Sequence, residues 1–170
     1  MQYFEKDFIQ IGQQVIVSDP IYSPDMWFQG VVQNMKPGAY KVYGEVIDCG
    51  DWGNRVSRIW IIHEDYINAD INALLNYKFE EFEVGVDSGN AGIYDFEYYQ
   101  NLYAGNTRPN DWYDRIPEVT YNNPTGQYFG TLDEKCIIAS AGYGDGTYTC
   151  QTGRNDADEC VYVEVDFAVE

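Results

Sequence analysis

Three observations predict a mainly β fold, either a single-domain β-sandwich or a strongly bent antiparallel sheet with one or two short helices. Apolar and polar residues alternate in short runs, turn-forming Gly, Pro, Asn and Asp fall between the runs, and only two segments show helical spacing. The 170 residues suffice for one core that buries about 70% of the unfolded surface, so 1–170 is read as one domain.

The runs are Gln14 to Val17, Phe28 to Val32, Tyr40 to Ile47, Val56 to Ile62, Phe79 to Val86, Lys135 to Ser140 and Val161 to Phe167. In the last, Val161, Val163, Val165 and Phe167 share one face while Tyr162, Glu164 and Asp166 share the other, the mark of a half-buried strand. Ser18-Asp19-Pro20, Lys36-Pro37-Gly38, Cys49-Gly50-Asp51, Ser88-Gly89-Asn90, Asn123-Pro124 and the stretch from Gly153 to Asp158 supply the turns. Asp65 to Tyr77 places Ile67, Ile71, Leu74 and Leu75 on one helical face. Asp95 to Tyr103 does the same with Phe96, Tyr99 and Tyr103, and Asp95 is available as N-cap. Gly105 to Asn123 lacks any period and is rich in aromatics, which suits either a functional loop or one folded back over the core.

Charge narrows the function classes. Twenty-eight acidic residues face ten basic ones, a net charge of −18, spread along the chain with no acidic tail. Such a field repels phosphate backbones and anionic membranes, so direct nucleic-acid and membrane-surface roles are disfavoured and a basic protein partner or a cation is favoured. No secretory leader opens the chain and no apolar run is long enough to span a bilayer, so a cytoplasmic setting is expected. Cys49, Cys136, Cys150 and Cys160 fit no zinc spacing and are expected as reduced, buried thiols.

The densest local signal is Ser140-Ala141-Gly142-Tyr143-Gly144-Asp145-Gly146-Thr147-Tyr148. Asp145-Gly146 reads as a type I′ hairpin turn, whereas the further glycines and the flanking tyrosines exceed what a turn needs. Tyr143, Asp145 and Tyr148 are therefore candidate ligand- or partner-binding residues. Asp111, Trp112, Tyr113 and Asp114 in the aperiodic stretch are candidates on the same grounds, because aromatics beside charge are enriched at binding surfaces.

Taken with Val17-Ser18-Asp19-Pro20-Ile21-Tyr22 and with Val84-Gly85-Val86-Asp87-Ser88-Gly89 followed by Ile93-Tyr94-Asp95, that segment resembles a group of small uncharacterised phage and bacterial proteins, a domain of unknown function. They share an early D-P-C-Y-like element, a central V-D-x-G element and a late S-G-Y-G-D-G-x-Y element. Here Ile21 replaces the usual Cys and Ala141 stands between Ser140 and Gly142, so no thiol role carries over. The resemblance implies a phage or mobile-element origin, a cytoplasmic setting and one β-rich domain.

Asp19, Asp87 and Asp145 each end a predicted strand and, brought together, would suit a hard cation such as Mg²⁺ or Ca²⁺, with Asp95 and Ser88 as additional ligands. Alternatively each makes an Asx turn with its own backbone. His63, the one histidine, stands at a strand end with no nucleophile elbow to serve and is expected to be surface or structural. Arg55 and Trp52 form a candidate stacking or anion-binding pair, although Arg55 and Arg58 are also expected to pair with the abundant acids. With no catalytic residue assigned and no cofactor required, the expected function is a non-enzymatic acidic binding protein that engages a host cytoplasmic protein, for example a nucleic-acid-binding or defence component. The alternative is a metal-assisted hydrolase or small-ligand binder centred on Asp19, Asp87 and Asp145.

Overall fold

Two antiparallel sheets stack face to face in the computed structural model, which describes residues 2–69, 79–104 and 109–169. In chain order the strands are β1 (Gln2–Ile11), β2 (Val15–Ser18), β3 (Gly30–Val32), β4 (Gly38–Asp48), β5 (Asn54–His63), β6 (Phe79–Val86) and β7 (Asn90–Asp95). Three short helices follow, α1 (Phe96–Leu102), α2 (Asn110–Tyr113) and α3 (Ile116–Val119). The chain then adds β8 (Phe129–Leu132), β9 (Cys136–Ser140), β10 (Gly146–Arg154) and β11 (Cys160–Asp166). One sheet has the order β1-β4-β5-β11-β10-β6 and the other β3-β2-β7-β9-β8. The fold class is the mainly β sandwich that the alternation predicts.

Apolar residues from the facing sides form the core, where Ile59 and Ile61 of β5 and Val163 and Val165 of β11 meet Val15 and Val17 of β2 and Ile93 of β7. Val56 also faces inward, three positions before Ile59, because Ser57 is an extra residue opposite the β4 pair Glu45 and Val46. That bulge turns Arg58 to the outer face, where it binds Glu164 at 2.8 Å and Glu45 at 3.0 Å. Gly44 lets the Phe129 ring cross from the other sheet, since a Cβ at 44 would stand 2.5 Å from Phe129 Cζ.

The smaller sheet is apolar on both sides. Ile16, Tyr94, Cys136 and Ile138 point outward under Tyr99, Tyr103, Trp112 and Ile116 of the helical layer. The expected helix from Asp95 to Tyr103 is α1, and the Asp95 carboxylate accepts the Tyr98 N–H at 3.2 Å as its cap. Within the aperiodic stretch the described residues include α2 and α3, and Trp112 of α2 is 4% exposed, so this part folds back over the core. Of the expected Asp65 to Tyr77 helix, positions 70–77 lie outside the described residues, as do 105–108 of the aperiodic stretch; Glu64–Tyr66 is a 3₁₀ turn.

The Asp145-Gly146 hairpin is corrected. β9 belongs to the smaller sheet and β10 to the larger, so 141–145 is a corner between sheets rather than a hairpin. The left-handed residues are Gly142 (φ 47°) and Gly144 (φ 116°), not Asp145 and Gly146. A Cβ at Gly142 would stand 2.8 Å from the Phe167 carbonyl oxygen, which explains a glycine there as close approach of two backbones. No helix among the described residues is long and apolar enough to cross a membrane. All four cysteines are free thiols, three of them buried.

Candidate functional site: an acidic and aromatic cleft

The three sequence islands meet at one end of the sandwich. Asp19, directly after β2, is fully buried, and its carboxylate accepts four hydrogen bonds. Oδ1 takes the Ile21 N–H at 2.8 Å and the Ser88 hydroxyl at 2.6 Å, while Oδ2 takes the N–H groups of Asp87 and Ser88 at 2.7 Å each. The Asx turn with Ile21 is thus present, and the same carboxylate also bolts the β2 end to the β6–β7 turn.

Tyrosines hold this segment from below. The hydroxyl of Tyr94 donates to the Ser18 carbonyl at 3.3 Å, that of Tyr99 to the carbonyls of Asp19 (3.2 Å) and Tyr22, and that of Tyr103 to the carbonyl of Pro20. Burial, with smaller contributions from neighbouring groups, pushes the Tyr94 and Tyr99 phenols far above their ordinary value, so they stay protonated donors. The Gln29 side chain braces the same loop from inside, donating to Ser23 O and Ser18 Oγ at 2.9 Å and accepting the Met26 N–H at 2.9 Å.

A loop built this firmly presents large side chains to solvent. Met26, Trp27 and Phe28 are 42, 76 and 47% exposed, and the Trp27 and Phe28 rings lie 4.6 Å apart. Phe28 adopts φ 61°, costly for an aromatic residue, and is fixed there because its carbonyl accepts the Gly85 N–H at 3.0 Å on the open edge of β6. Gly85 has no side chain to obstruct the Phe28 ring, since a Cβ there would stand 3.0 Å from Phe28 Cβ.

Tyr22, Met26, Trp27 and Phe28 line a cleft of about 670 Å³ together with Asp87 and Asp145. Both aspartates are exposed, and neither pairs with a Lys or Arg among the described residues. Asp87 accepts the Tyr22 hydroxyl; that bond, then burial and the charges of Asp87, Asp19 and Asp145, push the Tyr22 phenol up to about 12. The three aspartates named from sequence therefore act on one phenol. As donors they do not form a cation cage: the Asp19 oxygens are filled by backbone and hydroxyl hydrogens, and no group of three His, Cys, Asp or Glu among the described residues is placed to hold a metal.

Other sequence candidates fall elsewhere. Asp111 and Asp114 are exposed on the helical layer and Tyr113 is half-buried there, away from the cleft lining. Trp112 is a core residue. Tyr148 is 9% exposed, and its hydroxyl ties the corner, donating to Gly144 O at 2.5 Å and Ala141 O at 3.3 Å, so its role is structural. Tyr143 is 55% exposed and does not line the cleft. His63 is buried, accepting the Asp65 N–H at Nδ1 and bonding Pro37 O through Nε2, which uses both ring nitrogens structurally. Alternation does not reveal the contribution of Met26, Trp27 and Phe28, because Phe28 reads as the start of a strand; the available signal is three large apolar residues after Ser23-Pro24-Asp25.

Fold and site together define a two-sheet β-sandwich that carries a braced acidic and aromatic cleft. The chain belongs to the family described as "Protein of unknown function (DUF4241)", whose family model matches residues 11–165. Searches of curated proteins and of solved structures find no match.

Proposed function

We propose that the chain is a binding protein whose cleft captures a basic, partly apolar segment of another protein. The observation that carries this reading is Trp27, 76% exposed on a loop braced at the carbonyls of Ser18, Asp19, Pro20 and Tyr22, in a cleft also lined by two carboxylates without a basic partner among the described residues. A Lys or Arg side chain meets both needs at once, its alkyl stem lying on the Trp27 and Phe28 rings and its cationic head reaching Asp87 or Asp145. The net charge of −18 draws basic surfaces toward the cleft and keeps nucleic acid itself away. A nucleic-acid-binding or defence protein would accordingly be engaged through its basic face. Within this reading the partner is a host cytoplasmic protein in a phage or mobile-element setting, which rests on motif resemblance alone.

The test titrates immobilised protein with a short peptide alternating Lys with Leu and Tyr, and with the same peptide carrying Glu for Lys. The basic peptide is expected to bind saturably, about tenfold more weakly when salt is raised from roughly 0.05 to 0.5 M, and the acidic one not at all. Trp27→Ala and the double variant Asp87→Asn, Asp145→Asn should each weaken binding by about tenfold or more. Undiminished binding by either variant would overturn the proposal.

A further inference from the structure

Three of the four described arginines, Arg58, Arg115 and Arg154, each pair with an acid. Arg55 does not, although 28 acidic residues compete for it. The expected pairing with acids therefore holds for Arg58 and is corrected for Arg55. Its Nε donates to the Trp52 carbonyl at 3.0 Å and its Nη1 approaches the Gly142 carbonyl at 3.5 Å. The Tyr143 ring covers one face of the guanidinium, 5.3 Å from Cζ. Two backbone carbonyls and a ring orient this cation and leave its charge unneutralised.

Arg55 lines a second cavity, of about 290 Å³, together with Trp52, Tyr121, Tyr128 and Gly142. Trp52 and Tyr121 are 71 and 60% exposed, so both rings are open to a ligand in this cavity. The volume lies at the small end of ligand pockets, room for one ring and a short arm. The glycine corner is the common wall of both cavities: Ser140 and Gly142 line this one, while Asp145, Gly146 and Thr147 line the acidic cleft.

We propose that this pocket binds a monocarboxylate attached to an aromatic body. The Arg55 fork matches one carboxylate, and the surrounding rings match a planar apolar group. A polyanion is selected against, because one arginine cannot offset several charges brought to a surface of net charge −18. The same chemistry has two sources, a free aromatic acid or the C-terminal carboxylate of a peptide ending in an aromatic residue.

The chain has four tryptophans, so four indole N–H signals are followed by NMR, with that of Trp52 assigned by Trp52→Phe. The wild-type protein is titrated with phenylacetate, phenylacetamide, the peptide acetyl-Gly-Gly-Phe and its C-terminal amide. Each acid is expected to shift the Trp52 signal saturably, with its amide at least about tenfold weaker. Tighter binding of the peptide acid assigns the source as a chain terminus; tighter binding of phenylacetate assigns it as a free acid. Arg55→Gln should remove the preference of acid over amide and Arg55→Lys should keep part of it. No saturable Trp52 shift by either acid up to ~10 mM, or equal binding of acid and amide by the wild type, overturns the proposal.

Discussion

Asp19 and Ser88, 69 positions apart, are joined twice, through the Ser88 N–H to Oδ2 at 2.7 Å and the Ser88 hydroxyl to Oδ1 at 2.6 Å. With the N–H groups of Ile21 and Asp87 the carboxylate satisfies four donors at a site without solvent. Asp19→Ala would leave those donors unpaired and should cost more than about 3 kcal/mol in urea denaturation. Asp19→Asn keeps the shape, but in either orientation its NH₂ meets at least one backbone N–H, that of Ile21 or those of Asp87 and Ser88, so it should recover only part of the loss. An unchanged urea midpoint in both variants would refute this role.

Arg58 should make stability depend on pH in a particular direction. Burial raises the Glu164 carboxyl, and Arg58 offsets this only in part; at Glu45 burial is outweighed by hydrogen bonds from Ser57, Tyr3 and Arg58, so that carboxyl sits below its ordinary value. Removing the arginine drives both folded-state carboxyls upward, which favours their protonated forms in the fold. Arg58→Met should therefore cost about 2 kcal/mol at pH 7, a figure discounted because Arg58 is one-third exposed. The cost should shrink by half or more near pH 4, where protonation removes the stranded charges. Urea melts of both proteins at the two pH values measure it, and a penalty that grows on acidification would contradict the assignment.

Thiol chemistry should separate one cysteine from the other three. Burial pushes Cys136 up to about 12 and Cys160 up to about 11, and raises Cys150 likewise, whereas Cys49 is half-buried. Iodoacetamide at pH 8 should add one group to the native chain, at Cys49, and four in urea. Mass spectrometry reads both, and a second adduct on the native chain over the same interval would count against the packing described.

Tyr148→Phe tests how the corner is held. Loss of the hydroxyl removes the bonds to Gly144 O and Ala141 O, with an expected cost of about 1 kcal/mol. Amide hydrogen exchange should quicken at Gly144, whose N–H donates to Ala141 O at 2.6 Å, while exchange in β11 stays as in the wild type. Unaltered exchange at Gly144 would show that the glycine backbone holds itself.

Alternation made most of the larger sheet readable. The expected run from Phe79 to Val86 coincides with β6, and Val56 to Ile62 falls inside β5. β7 was not legible, because all six of its residues are buried between the core and the helical layer and no polar face remains to alternate. β1 failed for the opposite reason: it is an edge strand, largely exposed, and an extra residue between Lys6 and Ile9 breaks its period. At the site the three aspartates were legible as turn residues. That Tyr94, Tyr99 and Tyr103 brace the first of those turns was not, because the contacts bridge 76 to 83 positions that no local pattern connects.

The shared glycine corner has a thermodynamic corollary. A ligand seated against Gly142 and one seated against Asp145 press on the same short backbone three residues apart, and Tyr148 pins it between them at Gly144. If filling one cavity displaces that backbone, it alters the free energy of filling the other, and the change is reciprocal by necessity, equal in factor whichever ligand arrives first. The corner would then make the acidic and the arginine sites two terms of one binding polynomial, with a cross-term that the Tyr148 hydroxyl tunes.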